Sequence, residues 1–504
     1  MSSERLSLAT LPSARAGAFT VPTLDPREVS IGIVHFGVGA FHRSHQAVFT
    51  EDAAAARGES GWGILGVTGR SDAVVRQLRP QDCLYGVLQK DGAASSLRIV
   101  GAIREVASPG ADSARVVEVM ASEHTHLATL TITEKGYLRS AAGTVDLELP
   151  GVRDDIHTVV AELHAEQPST ASKTAIGLLV RGLAARYRRG GRPFAVLSCD
   201  NIVHNGEVLK TVITSFADAC DVEGFTRWLE SSVSFPSSMV DRITPAVTAT
   251  DHAEAFAMLG LEDEALVVAE PFSQWVIEDD FADSRPAWQL AGVTMTSDVM
   301  PFERAKLRVL NATHSLLAYL GQLSGYETIA QAVADEAIRE RALRMLNDDI
   351  LPTLDDLPGL NLAEYRDSVL DRFANPALAH TTLQVAMDGS QKLPNRTLAT
   401  AEERLAEGAV PQGLALTIAA WLLFIASTMT DGGPSLDDPL AARLTAAVGA
   451  PGALESEPEA VVDRLFGIRD IFSEELASSG AFRDAVVSQL TRARRLTASR
   501  PSKG

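Results

Sequence analysis

The sequence predicts an α/β domain in its first 300 residues and an all-α domain in the rest of its 504 residues. Short apolar runs, such as IGIVHF from Ile31 and FAVLS from Phe194, alternate with helical stretches, and this alternation is typical of a mostly parallel sheet. Beyond Pro301 the apolar spacing is helical, with turn sequences between the pieces. Because one hydrophobic core rarely serves so long a chain, we expect two domains, residues 1–300 and 301–504.

The N-terminal part opens with a βαβ pattern. The apolar run from Ile31 ends at Gly37-Val38-Gly39, an alanine-rich helical stretch then stops at Gly58, and a second apolar run begins at Trp62. Further strands are predicted at Ser96–Val100, Leu127–Ile132 and Phe194–Ser198.

Composition excludes several classes of function. The formal net charge of −20 lacks the basic excess that a nucleic-acid partner requires. The three cysteines, Cys83, Cys199 and Cys220, form no CxxC pair, which favours a reducing compartment over a disulfide scaffold. No apolar signal region is evident at the N-terminus, and the apolar run from Leu414, about 13 residues, is shorter than a membrane span. We expect a cytoplasmic protein without a membrane or nucleic-acid partner.

The glycine turn after the first predicted strand has two interpretations. Gly37 would allow a tight turn, Gly39 would let the backbone approach a pyrophosphate, and Phe41 lies in the first turn of the following helix. The third glycine of a GxGxxG fingerprint is replaced by His42. The pattern therefore predicts either a dinucleotide site with Gly37, Gly39 and Phe41 as cofactor contacts, or a purely structural turn.

The segment after the second predicted strand bears on cofactor choice. Asp72 could accept hydrogen bonds from the adenosine ribose, which favours NAD, whereas Arg70 could pair with a 2′-phosphate, which favours NADP. Asp72 could instead be the N-cap of a helix. We expect NAD, with NADP as the alternative.

Lys306, Asn311 and His314 are the polar residues of a largely apolar helical stretch. On a regular α-helix, His314 lies about 80° and Asn311 about 140° from Lys306, so the three share one side. Burial would lower the pKa of Lys306 and make it a competent base. An ordinary helix with a snorkelling lysine and a core histidine explains the same pattern.

No motif predicts a metal site or a hydrolase. The close histidine pairs, His42 with His45 and His124 with His126, lie outside any HExxH pattern. The chain also contains no GxSxG elbow and no GxxxxGK[ST] phosphate loop. We expect a metal-free site.

Eight blocks of sequence, spread over residues 30–400, carry a resemblance to a known family. They are IVHFGVGAFHRSHQA, LTITEKGY, LSCDNIVHNG, SFPSSMVDRITP, EPFSQWVIED, KLRVLNATHSLLAYLG, RFANPAL and MDGSQKLPNR. In this order they resemble the mannitol dehydrogenase family, which includes mannitol 2-dehydrogenase, D-arabinitol 4-dehydrogenase and fructuronate reductase. The resemblance implies a Rossmann-type N-terminal domain, a helical C-terminal domain, and zinc-independent hydride transfer between NAD(P) and a sugar alcohol or sugar acid.

The resemblance also implies roles for single residues. Lys306 is then the general base, Asn201 and Asn311 form the oxyanion hole, and His314 hydrogen-bonds the reacting oxygen. Two preset amide donors would stabilise the charge that collects on oxygen as hydride leaves carbon. Glu303, one helical turn before the lysine, would relay the proton to solvent.

The resemblance further implies residues that select the substrate. Asp241 and Lys392 would hold the distal hydroxyls of the substrate. Gln384 stands where some mannitol dehydrogenases carry an arginine. The sequence around it, LQVAMDGSQKLP, looks closer to that of fructuronate reductases and bacterial polyol dehydrogenases.

The leading hypothesis is therefore NAD-dependent oxidation of D-mannitol to D-fructose by a monomer or small homo-oligomer. D-arabinitol oxidation and the reduction of D-fructuronate to D-mannonate are alternatives on the same residues. A non-catalytic nucleotide-binding sensor is the alternative of another class, although a sensor would be expected to have lost Lys306 or an asparagine.

Overall fold

The computed structural model describes residues 4–14, 19–69, 71–92, 94–164, 171–355, 360–378, 380–450 and 452–498. The chain forms two compact units, Met1–Val299 and Met300–Gly504. Each unit has its own secondary structure.

All strands of the described chain lie in the N-terminal unit. In chain order they are β1 (Phe19–Thr20), β2 (Ile31–Phe36), β3 (Gly63–Val67), β4 (Tyr85–Asp91), β5 (Ala94–Val100), β6 (Ile103–Ala107), β7 (Leu127–Leu130), β8 (Phe194–Ser198), β9 (Val233–Ser234), β10 (Ser238–Asp241), β11 (Val267–Ala269), β12 (Gln274–Glu278) and β13 (Thr294–Thr296).

The largest sheet has six parallel strands in the order β6-β3-β2-β7-β8-β9. Numbered within the sheet, this is 3-2-1-4-5-6, the order of a doubly wound nucleotide-binding fold. Val34 and Leu65 pack into one hydrophobic cluster, and Ile33 and Ile64 pack into another. Since neighbouring residues of a strand point to opposite faces, both faces of the sheet are covered. The predicted parallel sheet is confirmed.

The predicted strand at Ser96–Val100 has a different place from the one expected. It is the end of β5, which pairs antiparallel with β4 in a separate four-stranded sheet of order β1-β5-β4-β11. Gly92, at φ +56°, lies in the short turn between the two strands, and left-handed residues are what such tight hairpins need. A third sheet, of order β10-β12-β13, carries Asp241 at the end of β10.

Helices separate the parallel strands, as the alternating pattern predicts. Gly58 ends the alanine-rich helix with a left-handed φ of +67°, a conformation that glycine adopts at little cost. The α-helices of this unit are α1 (Ala40–Ser44), α2 (Gln46–Arg57), α3 (Ala73–Leu78), α4 (Ser113–Met120), α5 (Pro150–Leu163), α6 (Ala175–Arg188), α7 (Asn205–Ala219), α8 (Glu223–Ser232) and α9 (Ala249–Leu259).

The described part of the C-terminal unit is helical, as predicted. Its α-helices are α10 (Met300–Ala305), α11 (Ala312–Leu323), α12 (Ile329–Ala334), α13 (Glu336–Arg344), α14 (Leu362–Phe373), α15 (Thr382–Ala386), α16 (Gly389–Leu393), α17 (Ala399–Ala406), α18 (Gln412–Thr428), α19 (Ala441–Val448), α20 (Ala453–Ser456), α21 (Pro458–Phe466), α22 (Glu474–Ser478) and α23 (Gly480–Ala498).

Helix α18 forms the centre of this unit. It contains the long apolar run from Leu414, it is buried over most of its length, and it packs against α11 and α23. A helix that is apolar on all sides is stable only inside a core. No helix in the described residues combines the length and apolar character that a membrane crossing requires.

The helix that carries Lys306 differs from the regular α-helix expected from sequence. Residues Lys306–Asn311 form a π-helical segment between α10 and α11, with two more such segments at Met345–Ile350 and Pro394–Leu398. A π-helix closes its hydrogen bonds from i to i+5, so each turn contains more residues than an α-helical turn. The angles derived from 100° per residue are therefore wrong across Lys306–Asn311.

Candidate active site

The glycine turn follows β2, where the order of the parallel sheet reverses between β2 and β7. Gly37 has a φ of +95°, and its N–H donates to Val67 O at 2.8 Å. A Cβ on Gly37 would collide with the carbonyl oxygen of Thr131 at the end of β7. The backbone conformation and the close strand both require glycine here.

Gly39 has a different reason to lack a side chain. Its φ is −97°, and a Cβ there would meet only Gly37 O, at 3.6 Å. Within the described residues, the space next to this backbone thus leaves room for a ligand that approaches the start of α1. Phe41, in the first turn of α1, is half-buried and stacks on His45 with ring centroids 4.9 Å apart.

A buried network fixes the position of the glycine turn. Thr131 Oγ1 donates to Gly37 O at 2.8 Å, so toward His35 Nε2, 2.9 Å away, this hydroxyl can only accept. His35 must therefore carry its proton on Nε2. Burial lowers the pKa of His35 to about 3, so the ring is neutral, and Nδ1 accepts from the Thr129 hydroxyl at 2.8 Å.

His42 occupies the position of the missing third glycine and has a structural environment. Its ring stacks on that of His35 with centroids 3.3 Å apart and planes 9° apart. Burial, with His35 as a further cause, lowers the pKa of His42 well below its usual value. Its neighbour His45 has Nε2 2.9 Å from Gln274 O. No cluster of three metal-ligating side chains is found in the described residues.

Asp72 follows β3 and occupies the N-cap position of α3. Its side chain makes no capping bond and instead accepts from Ser108 Oγ at 2.7 Å. The expectation that Asp72 is a helix N-cap is therefore confirmed for its position, although its side chain makes no capping hydrogen bond. The carboxylate is exposed. Arg70 lies outside the described residues.

The carboxyl ends of β7 and β8 are joined by Asp200. Its carboxylate accepts from Ile132 N at 3.1 Å, Thr133 N at 2.8 Å and Tyr137 Oη at 2.8 Å. Burial raises the pKa of Asp200, while these donors oppose the shift. The sequence analysis missed Asp200, although it stands beside Asn201 in the CDN block. Asn201 itself is exposed.

Asn205 connects this turn to the strand that ends at Asp241. Its Nδ2 donates to Asp200 O at 3.0 Å and to Ser238 O at 2.7 Å, and its Oδ1 accepts from Ser238 N at 3.0 Å. Ser238 begins β10, and Asp241, buried, ends it. Asn201 and Asp241 are thus held in one hydrogen-bonded framework of the N-terminal unit.

In the C-terminal unit, the predicted catalytic residues share one continuous helical stretch. Glu303 lies in α10, Lys306 and Asn311 bound the π-helical segment, and His314 lies in α11. All four are at most 8% exposed. Asn311 Nδ2 and His314 Nε2 are buried and have no hydrogen-bond partner in the described structure. A buried donor left unpaired costs about 1–3 kcal/mol, so these two atoms are suited to a bound ligand.

Aromatic and cationic groups surround His314. The rings of Phe373 and His380 lie 4.7 and 4.8 Å from it. Burial is the main reason that the pKa of His314 falls well below its usual value, and His380, Arg396, Lys392 and Arg372 lower it further. His314 is neutral, so one ring nitrogen can accept and the other can donate a hydrogen bond. The sequence analysis missed His380 and Arg396.

Lys392 and Gln384 have different environments. Lys392 Nζ donates to Met387 O at 2.6 Å, and burial, together with Arg396, lowers its pKa. Gln384 is exposed and lies in the short helix α15. Within this unit the structure thus brings Lys392 into the electrostatic environment of His314, whereas Gln384 faces solvent.

The strand order and the glycine turn place the N-terminal unit in the class of doubly wound dinucleotide-binding folds. The model of the mannitol dehydrogenase Rossmann domain matches residues 31–290, and that of the mannitol dehydrogenase C-terminal domain matches residues 298–493. The chain belongs to the mannitol dehydrogenase family.

Similar proteins cover nearly the whole chain. An uncharacterized oxidoreductase of Escherichia coli, YeiQ, is 40% identical over 470 residues, 92% of each chain. The D-mannonate oxidoreductase of Escherichia coli is 38% identical over 487 residues, 95% of each. The structure of Pseudomonas fluorescens mannitol 2-dehydrogenase with NAD and D-mannitol matches with a TM-score of 0.82 and 31% identity, covering 99% of this chain and 100% of that one.

Proposed function

We propose that this protein is an NAD-dependent dehydrogenase that oxidises a secondary hydroxyl of a sugar alcohol to a ketose, with D-mannitol as the leading substrate and D-fructose as its product. The observation that carries the proposal is the buried stretch Glu303–His314. It combines a buried lysine with an amide and an imidazole nitrogen that lack partners in the described structure.

The glycine turn supports the dinucleotide half of the proposal. Gly37 keeps the turn against β7, and a Cβ on Gly39 would meet only Gly37 O among the described atoms. Backbone N–H groups at the start of α1 would hold the pyrophosphate, with Phe41 beside it and Asp72 near the ribose. When bound, NAD accepts the hydrogen and the electron pair that leave the hydroxyl carbon.

The chain's own residues would manage the proton and the oxygen. We assign Lys306 as the base that takes the hydroxyl proton and Glu303 as the group that passes it toward solvent. Asn311 Nδ2 and the Asn201 amide would donate to the oxygen as negative charge develops there, and His314 Nε2 would donate a further hydrogen bond. Asp241 and Lys392 would bind the distal hydroxyls, with Gln384 as a peripheral contact.

A second substrate class has its own support. The cations Lys392, Arg396 and Arg372 all act on the environment of His314, and a carboxylate on the substrate would compensate them. The Escherichia coli D-mannonate oxidoreductase is among the similar proteins. Reduction of D-fructuronate to D-mannonate is therefore the second candidate.

A substrate panel tests both candidates. Purified full-length protein is offered D-mannitol, D-arabinitol and D-sorbitol with NAD or NADP, and D-fructose or D-fructuronate with the reduced cofactors, with the absorbance of reduced nicotinamide as the readout. We expect the highest kcat/KM with D-mannitol and NAD. A higher value for D-fructuronate favours the second candidate, and no turnover with any pair contradicts the proposal. Dialysis against EDTA should leave the rate unchanged, because we propose chemistry without a metal.

A further inference from the structure

The C-terminal unit contains a cavity that the proposed reaction does not use. Its volume is about 700 Å³, within the range of small-molecule sites. Residues of α13, α17, α18 and α23 line it, and none of the proposed catalytic or substrate residues is among them.

Positive charge dominates this cavity, which we call the arginine cavity. Arg341, Arg344, Arg404 and Arg492 line it, against the two carboxylates of Asp348 and Asp349. The whole chain has a formal charge of −20, whereas the residues that line this cavity carry four guanidinium groups and two carboxylates. A local excess of this kind attracts anions from solution.

One of the two carboxylates already has partners. Asp349 is buried and accepts from Gly413 N at 2.6 Å and Leu414 N at 3.0 Å, at the start of α18. Burial raises the pKa of Asp349 to about 6. The carboxylate of Asp349 thus caps the start of α18, and among the arginines that line the cavity it interacts with Arg404.

The arginines are incompletely paired. Arg344 pairs with Glu340 and Arg404 with Glu407, while Arg341 and Arg492 form no ion pair within the described residues. Arg404 Nε is buried and has no hydrogen-bond partner in that same part of the chain. Burial lowers the pKa of Arg341, with Glu340 opposing this shift and Arg344 adding to it. An anion bound between the arginines would reduce their mutual repulsion and would accept a hydrogen bond from the unpaired Arg404 Nε.

We infer that the arginine cavity binds a small molecule that carries phosphate groups, such as a sugar phosphate or a nucleotide. A guanidinium group presents two parallel N–H donors that match the oxygen spacing of a phosphate. Four such groups from three helices, around a volume of this size, suit a ligand with more than one anionic oxygen cluster better than a single chloride ion. The inference concerns binding and is independent of the proposed reaction.

Calorimetric titration of the full-length protein with pyrophosphate, at constant ionic strength, tests the inference. The double variant Arg404→Gln with Arg492→Gln should bind at least about tenfold more weakly, since each lost charge-assisted contact weakens binding by about that factor. Arg443→Gln with Arg469→Gln removes two exposed arginines of the same unit and should bind like the wild type. Because pyrophosphate could also occupy the glycine turn, binding that is equal in all three proteins overturns the inference.

Two further measurements keep the result decisive. If the double variant loses its thermal unfolding transition, the single variant Arg492→Gln, which changes an exposed residue, replaces it and should still weaken binding. Titration with citrate separates phosphate recognition from general anion attraction. Citrate that binds as tightly as pyrophosphate, or pyrophosphate that does not bind at all, overturns the assignment.

Discussion

The glycine turn of the N-terminal unit and the Lys306–His314 stretch of the C-terminal unit are built from different parts of the chain. The turn is a backbone structure, in which Gly37 removes a side chain, and His35 and Thr131 fix a carbonyl through a fully paired network. The second region is made of side chains, and it leaves Asn311 Nδ2 and His314 Nε2 without partners in the described structure. The glycine turn thus keeps its shape through Gly37 and this network, whereas the two unpaired nitrogen atoms of the second region gain most from a ligand. Substitutions in the two regions should therefore have separable effects.

The largest effect is expected at Lys306. Lys306→Ala should lower kcat by about 10²–10⁴-fold and leave the NAD affinity nearly intact, because a general base is lost and no backbone contact to the dinucleotide changes. Steady-state kinetics and fluorescence titration with NADH measure the two quantities. Lys210→Ala, at an exposed lysine, is the control. Equal losses of kcat and of NADH affinity would contradict the separation.

The oxyanion donors come next. Asn311→Ala and Asn201→Ala should each lower kcat/KM by about 10²–10³-fold, the usual cost of one oxyanion-hole donor. Asn205→Ala is a useful comparison, because it removes the buried hydrogen bonds that connect Asp200 to Ser238. This variant should lower the stability of the protein as well as its kcat/KM. A wild-type kcat/KM for Asn311→Ala would show that its unpaired nitrogen has no part in the reaction.

The two glycines should separate folding from cofactor binding. Gly37→Ala places a side chain at φ +95° against Thr131 and should cost about 1–3 kcal/mol of stability or more, together with NAD affinity. In the described structure the Cβ of Gly39→Ala would meet only Gly37 O, at 3.6 Å, so the stability of this variant should change by less than about 0.5 kcal/mol while NAD binding weakens. Urea unfolding and NADH titration test both variants. Undiminished NADH binding by Gly39→Ala would assign the turn a purely structural role.

The neutral state of His35 predicts a pH dependence of stability. Its pKa is lowered from the usual 6.5 to about 3 in the folded protein. At a pH between these two values, His35 is therefore protonated in the unfolded chain and neutral in the folded protein. The contribution of His35 is fully present above about pH 6.5 and decreases by up to about 1.4 kcal/mol per pH unit below it. Urea unfolding at about pH 5 and about pH 7.5 should show a smaller pH effect in His35→Gln than in the wild type. An unchanged difference would contradict the assigned protonation state.

The smallest effect is expected at Asp72. The carboxylate is exposed, so its repulsion of a 2′-phosphate is screened, and Asp72→Ala should narrow the preference for NAD over NADP by only about fivefold. The ratio of kcat/KM values for the two cofactors is the measurement. Ser108→Ala, which removes the bond to Asp72 and keeps its charge, is the control. A wild type that prefers NADP would reverse the prediction.

The sequence alone was sufficient for the features that depend on residue type and spacing. Alternating apolar runs predicted the parallel sheet, continuous helical spacing predicted the C-terminal unit, and eight short blocks spread over residues 30–400 predicted the family. Gly37 could be identified as a turn residue, because a glycine directly after a predicted strand usually marks a tight turn. These signals are local, and each is carried by neighbouring residues.

Features that depend on distant partners were decided by the tertiary structure. The strand Ser96–Val100 belongs to another sheet, because it forms hydrogen bonds with the strand Tyr85–Asp91. The π-helical segment at Lys306–Asn311 changed the angles of the predicted catalytic residues, and a helical pattern in sequence does not distinguish i+4 from i+5 bonding. The proton on His35 Nε2 and the environment of His314 depend on Thr131 and Arg396, residues about 80 to 100 positions away in the chain. Such pairings are set by packing, which local spacing does not encode.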